Sequence, residues 1–128
     1  MHTWYVANDS VDRRGWPALR VKSLTESRGA AQFRDEEVLP GVEDLQVELV
    51  VDAEGRLSSV APGTPQARNG KVVAVRFWLR IRSDSTERGY VDGRRLDYAD
   101  ASFTPGAVEA TQRRLLVART IALRNLRP

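Results

Sequence analysis

The residues most suited to catalysis or metal binding are the acids between Asp35 and Glu54, a stretch with no Lys or Arg. Carboxylates at this density could bind a cation or provide a general acid and a general base. The run VDAEG, Val51 to Gly55, has two acids spaced as in a calcium loop, but it lacks the third acidic ligand and the closing Glu. No cleft that would oppose two carboxylates is predicted, so a salt-bridged or solvated sheet face is the preferred interpretation. The eight acids are Asp35, Glu36, Glu37, Glu43, Asp44, Glu48, Asp52 and Glu54.

Other catalytic groups are scarce. The chain has no Cys, which excludes a thiol nucleophile, a disulfide framework and a thiolate metal site. Its one histidine is His2, and the Ser and Thr residues lack a G-x-S-x-G motif, so a serine nucleophile would have no base. We therefore expect no enzyme activity, no cofactor and no metal.

The charges are separated along the chain. The net charge is +3, with 18 Arg and 2 Lys, and five Arg but no acid follow from Arg113 to the end. A chain of this kind either pairs its own acidic and basic parts or offers one of them to a partner. Both interpretations remain open from the sequence.

A strand with alternating Arg and Trp offers a second possible binding feature. In KVVAVRFWLRIR, the residues Arg76, Trp78, Arg80 and Arg82 lie on one face of a period-two pattern. The preferred interpretation is a ladder of Arg stacked on Trp, and the alternatives are a protein interface or nucleic-acid binding. If the strand containing Glu48 is its neighbour, opposite charges meet across the two strands.

Hydrophobic periodicity predicts a β-rich domain in which an antiparallel sheet has one covered face. The clearest strand buries Val73, Val75, Phe77, Leu79 and Ile81, which we expect to form the core. What covers the sheet is open, and a helix outside this sequence could complete it. The strands are predicted at 3–7, 18–24, 45–51, 56–60, 73–82 and 114–125, with a helix near 107–116 as the alternative for part of the last; turns or loops are predicted at 8–17, 25–31, 61–70 and 83–106.

Length and hydropathy favour one domain without a membrane span. A chain of 128 residues is enough for one modest core. No apolar run approaches the roughly 20 residues that cross a bilayer, and no signal peptide is recognisable. The aromatic residues Tyr90, Tyr98 and Phe103 are expected to pin the long polar segment 83–106 to the body.

Four motifs in register carry a family resemblance. The chain has GVEDLQ at 41–46 leading into a strand that ends at Asp52, a VAVRFWLRIRS strand at 73–83, a Tyr-containing loop in GYVDGRRLDYAD, and a closing RR…LRN segment. With WYVAND near the start, this order resembles the C-terminal head of PilW-type minor pilins, low-abundance subunits of bacterial type IV pili. The other matching positions are Tyr90, Tyr98, Arg113, Arg114 and 123–125.

The resemblance implies an α+β, mostly β, pilin-like or pseudopilin-like head spanning 1–128 as a single domain truncated at its N-terminus. The transmembrane helix and prepilin cleavage site of the family are missing from this sequence, and the turn after the GVEDLQ strand is reduced to AEGRL. It also implies a non-catalytic role in priming pilus assembly within a tip complex, for twitching motility and adhesion. The partners would be other minor pilins, the major pilin and a large tip adhesin. The location would be the periplasm or the pilus surface, with the full-length protein in the inner membrane before assembly.

Charge-complementary docking is the physical account we expect for such a head. Two alternatives remain: a pseudopilin head of type II secretion, which shares the architecture, and a DNA-binding pilin head, which the Arg excess would support although nucleic acid is not the preferred partner. The candidate partner contacts are Glu43, Asp44, Glu48, Arg76, Trp78, Arg80, Arg82, Tyr90 and Tyr98.

Overall fold

The computed structural model of the chain describes residues 1–124. Strands dominate this part, and the helical pieces are one five-residue α-helix and a single 3-10 turn at Glu109–Thr111. The elements are β1 (His2–Ala7), β2 (Ala18–Ser27), β3 (Ala30–Pro40), β4 (Val42–Ala53), β5 (Arg56–Val60), α1 (Pro65–Asn69), β6 (Lys71–Arg82), β7 (Leu96–Tyr98), β8 (Ala101–Phe103) and β9 (Arg114–Ala122).

The strands form two main antiparallel sheets. One sheet has the order β1-β2-β3, the other has the order β5-β4-β6-β9, and β7 and β8 form a small hairpin. The prediction of a mostly β, antiparallel fold is therefore confirmed. No helix within residues 1–124 has the length and apolar character needed to cross a membrane.

The four-stranded sheet is built on the period-two patterns of β4 and β6. In their antiparallel register Leu45 lies opposite Leu79, Val47 opposite Phe77, and Leu49 opposite Val75. Residues directly opposite each other in a sheet share a face, so the apolar sides of both strands coincide. β9 extends this sheet on the far side of β6, with Val117 opposite Leu79.

The first sheet departs from the prediction. The sequence predicts a turn over 25–31, but β2 continues to Ser27 and β3 begins at Ala30, so only Arg28 and Gly29 form the turn. Their φ angles of 53° and 76° suit a two-residue hairpin turn. β3 is absent from the predicted strands because AAQFRDEEVLP has no apolar alternation; its pairing with β2 determines its structure instead.

Four other predicted segments need correction. The segment 61–70 contains α1, whose N-cap Thr64 accepts a hydrogen bond from the Ala67 N–H at 3.3 Å. The segment 83–106 contains the β7–β8 hairpin, and the helix considered near 107–116 is reduced to the 3-10 turn. The last strand begins at Arg114 as predicted but ends at Ala122, and Asn125 lies outside the described residues.

The core also lies elsewhere than predicted. The apolar side chains of β6, from Val73 to Ile81, are only half-buried. On the neighbouring β9, Leu115 and Ile121 are 61% and 54% exposed. The buried apolar residues are Trp16, Ala18, Leu19, Val42, Val51, Ala74, Tyr98 and Ala110.

Gly41 connects the two sheets at the junction of β3 and β4. Its φ of +84° lies in the left-handed region, which bends the chain between the strands. Its N–H donates to the Pro17 carbonyl at 2.7 Å, and its own carbonyl accepts from the Arg82 N–H at 2.9 Å. Trp16 packs beside it, so this glycine holds the loop 8–17 against the end of β6.

Candidate functional site

A β-bulge at the start of β4 determines where the acids of GVEDLQ point. Val42 lies opposite Ile81 and Asp44 lies opposite Arg80, so Glu43 is an extra residue between two consecutive pairs. A bulge of this kind turns two neighbouring side chains toward one face of the sheet. Glu43 and Asp44 thereby both reach the face on which Arg80 lies.

Glu43 is the centre of an ion-pair cluster that we call the Glu43 cluster, formed with Arg80, Arg82 and Arg114. Arg114 binds both carboxylate oxygens, with Nε to Oε2 at 2.9 Å and Nη2 to Oε1 at 3.0 Å. Arg80 Nε donates to Oε2 at 3.0 Å, and Arg82 Nη1 lies 3.7 Å from Oε1. The side chains of Glu43 and Arg114 are 10% and 7% exposed, so water screens this pair weakly.

The arginines keep the Glu43 carboxyl ionised. Burial alone would raise the pKa of Glu43, but the hydrogen bonds from Arg114 and Arg80 outweigh burial and hold its pKa below the ordinary value of 4.5. The cluster therefore joins β4, β6 and β9 by charge at the end of the sheet where β9 begins.

Asp44 and Tyr98 attach the long loop to this cluster. The Tyr98 hydroxyl donates to Asp44 Oδ2 at 2.6 Å and accepts from Arg80 Nη1 at 2.8 Å. Arg80 and Arg114 also lie over the ring of Phe103, at 3.7 and 5.1 Å from its centroid. The prediction that Tyr98 and Phe103 hold the segment 83–106 to the body is confirmed.

We expect Tyr98 to titrate later than an exposed tyrosine. Burial and the hydrogen bond to Asp44 raise the pKa of Tyr98 to about 12. Since the raised pKa means that folding favours the protonated hydroxyl, its contribution to stability is complete below pH 10 and is lost as the pH rises toward about 12. In an alkaline titration of tyrosinate absorbance, Tyr98→Phe should remove the last step, whereas the control Tyr90→Phe should retain it; the opposite result would contradict the assignment.

The predicted ladder of Arg on Trp78 is wrong for the described residues. Arg82 lies over the ring of Trp16 at 4.9 Å and Arg80 lies over Phe103, while no cation–π contact within residues 1–124 involves Trp78. Trp78 is instead half-buried between Gln46 and Ala118 of the neighbouring strands. Periodicity identified the face correctly but could not show which aromatic ring each guanidinium would reach.

Several acids of the 35–54 stretch pair with arginines of the same chain, as predicted. Glu48 lies opposite Arg76 in the β4–β6 register, and Arg114 from the basic end binds Glu43. Asp35 binds Arg20 at 3.1 Å and accepts from the Tyr5 hydroxyl at 2.6 Å. Arg113 is paired outside the acidic stretch, with Glu87 at 2.6 Å. The end of the basic tail, from residue 125, lies outside the described residues.

The candidate residues fall into three groups. Five of them meet in or beside the Glu43 cluster, three lie further along the same face, and Tyr90 is apart, under Arg113 at 4.2 Å. Arg114 was missing from the candidate contacts although it belongs to the cluster; the RR pair of the resemblance was the available signal. The first group is Glu43, Asp44, Arg80, Arg82 and Tyr98; the second is Glu48, Arg76 and Trp78.

The opposite face of the same sheet forms a continuous apolar surface, which we call the open face. Its members are half-buried or exposed, and Arg119 is the one charged residue among them within residues 1–124. Val42 and Val51, at the two ends of the same side of β4, are buried. Contiguous exposed apolar surface of this kind typically marks an interface. The open face consists of Leu45, Val47, Leu49, Val75, Phe77, Leu79, Ile81, Leu115, Val117, Arg119 and Ile121.

Within residues 1–124, no group of three or more acidic or histidine side chains is placed to hold a metal ion. A family model described as Type IV Pilus-assembly protein W matches residues 3–125. No curated protein and no solved structure shows significant similarity to the chain.

Proposed function

This chain belongs to the type IV pilus-assembly protein W family, and on that premise we propose that it is the head of a minor pilin that primes pilus assembly. The family gives the coarse function, a structural role in type IV pilus assembly at the cell envelope. The finer proposal is that the head belongs to a tip complex with other minor pilins, the major pilin and a large adhesin. It would thereby support adhesion and twitching motility.

The open face is the observation that carries the proposal. An α-helix with its side chains is about 10–12 Å wide and strands are about 4.8 Å apart, so one helix would cover β4 and β6. Each large apolar side chain that becomes buried would contribute about 1.5–3 kcal/mol. We propose that an apolar N-terminal helix of the full-length protein occupies this face and anchors the head to the inner membrane before assembly.

The polar face is proposed to meet neighbouring subunits. Glu43 and Asp44 already have partners within the fold, so reversing their charges would disturb the head and would not test docking alone. Glu48, Arg76 and Trp78 are half-exposed and lie together along the middle of the sheet. Trp and Arg are enriched among the residues that dominate binding energy in interfaces, which favours this trio as the contact.

A charge placed on the open face tests the proposal. Leu79→Glu in the full-length protein should lower the amount of pili in sheared fractions about tenfold or more, because a helix would bury the carboxylate. The matched control is Leu57→Glu on β5, where the side chain is already 64% exposed and pili should remain near wild-type amounts. Circular dichroism of both variant heads should match wild type. Normal piliation with Leu79→Glu would refute the helix assignment.

A further inference from the structure

The outer edge of β9 is a second binding feature, made of main-chain groups and bordered by the open-face residues Val117, Arg119 and Ile121. Within residues 1–124 the sheet ends at β9, and no strand pairs with its outer side. We propose that this edge accepts an extended segment of another protein, which adds a fifth strand and places an acidic residue opposite Arg119. The inference goes beyond the proposed function, since it concerns strand pairing at the edge of the sheet and not the helix proposed for the open face.

The hydrogen bonds to β6 show which main-chain groups are available. The Ser83 N–H donates to the Arg113 carbonyl at 2.8 Å, and the Leu123 N–H donates to the Val73 carbonyl at 2.8 Å. The register between β6 and β9 has no shift, so the odd-numbered residues of β9 point their main-chain groups toward β6. The even-numbered residues point outward, and an added strand would bind the N–H and C=O groups of Leu116, Ala118 and Thr120.

Arg119 defines the chemistry of the partner. Its Nη1 donates to the outward carbonyl of Ala118 at 2.8 Å, so the side chain lies along its own edge. It forms none of the ion pairs found within residues 1–124. A carboxylate on an added strand, opposite Arg119, would provide the missing counter-charge, and apolar residues two positions away would lie beside Val117 and Ile121.

The edges at β3 and β5 fit this role less well. The acids of β3 already have partners: Glu36 pairs with Arg34 at 2.7 Å, and Glu37 accepts from the Val11 N–H at 2.8 Å. β5 has only five residues, two of which are serines. β9 combines nine residues, exposed apolar side chains and a cation without a carboxylate partner in the described part of the chain.

A pair of short peptides can test the edge directly. The probe is Val-Thr-Val-Thr-Glu-Thr-Val, and its control has Lys in place of Glu. Amide exchange of the 128-residue chain is followed by NMR with and without peptide. The Glu peptide should slow amide exchange at Leu116, Ala118 and Thr120. It should bind roughly fivefold or more tightly than the Lys peptide, because Glu places an opposite charge against Arg119 and Lys places a like charge there.

Two variants distinguish strand pairing at the edge from nonspecific peptide binding. Ala118→Pro removes an outward N–H without affecting the ladder to β6, so it should abolish protection while the fold is retained. Ala118→Val keeps the N–H and should still bind. The proposal is overturned if neither peptide protects the edge, if both peptides bind equally, or if the protected amides lie on β3 or β5. It is also overturned if protection rises with protein concentration alone, because a second copy of the chain would then be the occupant. Because the experiment uses neither a helix nor pili, its failure and that of the proposed function can be told apart.

Discussion

Replacing Glu43 by Gln is expected to lower the free energy of unfolding by about 3–5 kcal/mol, the range for breaking a buried ion pair by removal of one partner. Gln keeps the size of Glu but removes the charge that Arg80, Arg82 and Arg114 share. Three guanidinium groups would then remain close together without their common carboxylate. The loss should be measured by urea unfolding, followed by Trp fluorescence and circular dichroism.

Glu48→Gln is the matched control, because it makes the same change further along the same strand. Glu48 lies opposite Arg76 but forms none of the ion pairs found in the described part of the chain. Its replacement should change stability by less than about 1 kcal/mol, as for most exposed charge pairs. Equal losses in the two variants would show that Glu43 has no special structural role.

The pH dependence supplies an independent check on Glu43. Since its pKa is lowered in the folded state, the stabilisation is present above the ordinary value of 4.5 and is lost as the pH falls through the folded-state pKa. In the wild-type protein Glu43 becomes protonated in that window, whereas the amide that replaces it in the variant has no proton to gain. The stability difference between wild type and Glu43→Gln should therefore be largest near neutral pH and should shrink progressively below pH 4.5.

The sequence predicts the central strand and the family, but it does not predict the Glu43 cluster. The alternation of β6 identified both faces of the central strand, and the four motifs of the resemblance identified the family. The bulge at Glu43 was not predicted. It shifts the period-two phase by one residue between Val42 and Leu45, but a single apolar residue before the shift is too little pattern to reveal it. The Glu43 cluster joins residues up to 71 positions apart in the chain, and spacing along one strand does not predict such contacts.

The open face shows a second limit of the sequence. Val73 to Ile81 were predicted to be core because alternation indicates which side chains need burial, but it cannot indicate what buries them. Within residues 1–124 these side chains remain only half-buried. The strand β3 shows the converse, since its composition lacks the apolar alternation of a strand although β2 provides a complete pairing partner. The local sequence pattern and tertiary pairing both determine structure. In β6 the pattern predicts more burial than the structure shows, and in β3 pairing forms a strand that the pattern does not predict.

Gly41→Ala is expected to be the second most damaging small substitution, with Gly55→Ala as its control. Both glycines have φ of +84°, so both variants incur the left-handed cost of about 1–2 kcal/mol. A Cβ on Gly55 would meet nothing within 4 Å, whereas one on Gly41 would lie 2.9 Å from the Arg82 carbonyl oxygen and 3.3 Å from the Trp16 ring. The crowding should add roughly 1–3 kcal/mol at Gly41 alone.

The difference between these two variants isolates the role of the junction, because φ is +84° at both glycines. Urea unfolding should show Gly41→Ala to be less stable than Gly55→Ala, and the fluorescence of Trp16 should shift only in the former as its contact with the junction is displaced. The carbonyl of Arg82 cannot move freely, since β6 is held in its ladder on both sides at this end. If the two variants are equally stable, the close approach at Gly41 does not constrain the fold, and the sheets must be joined by other contacts.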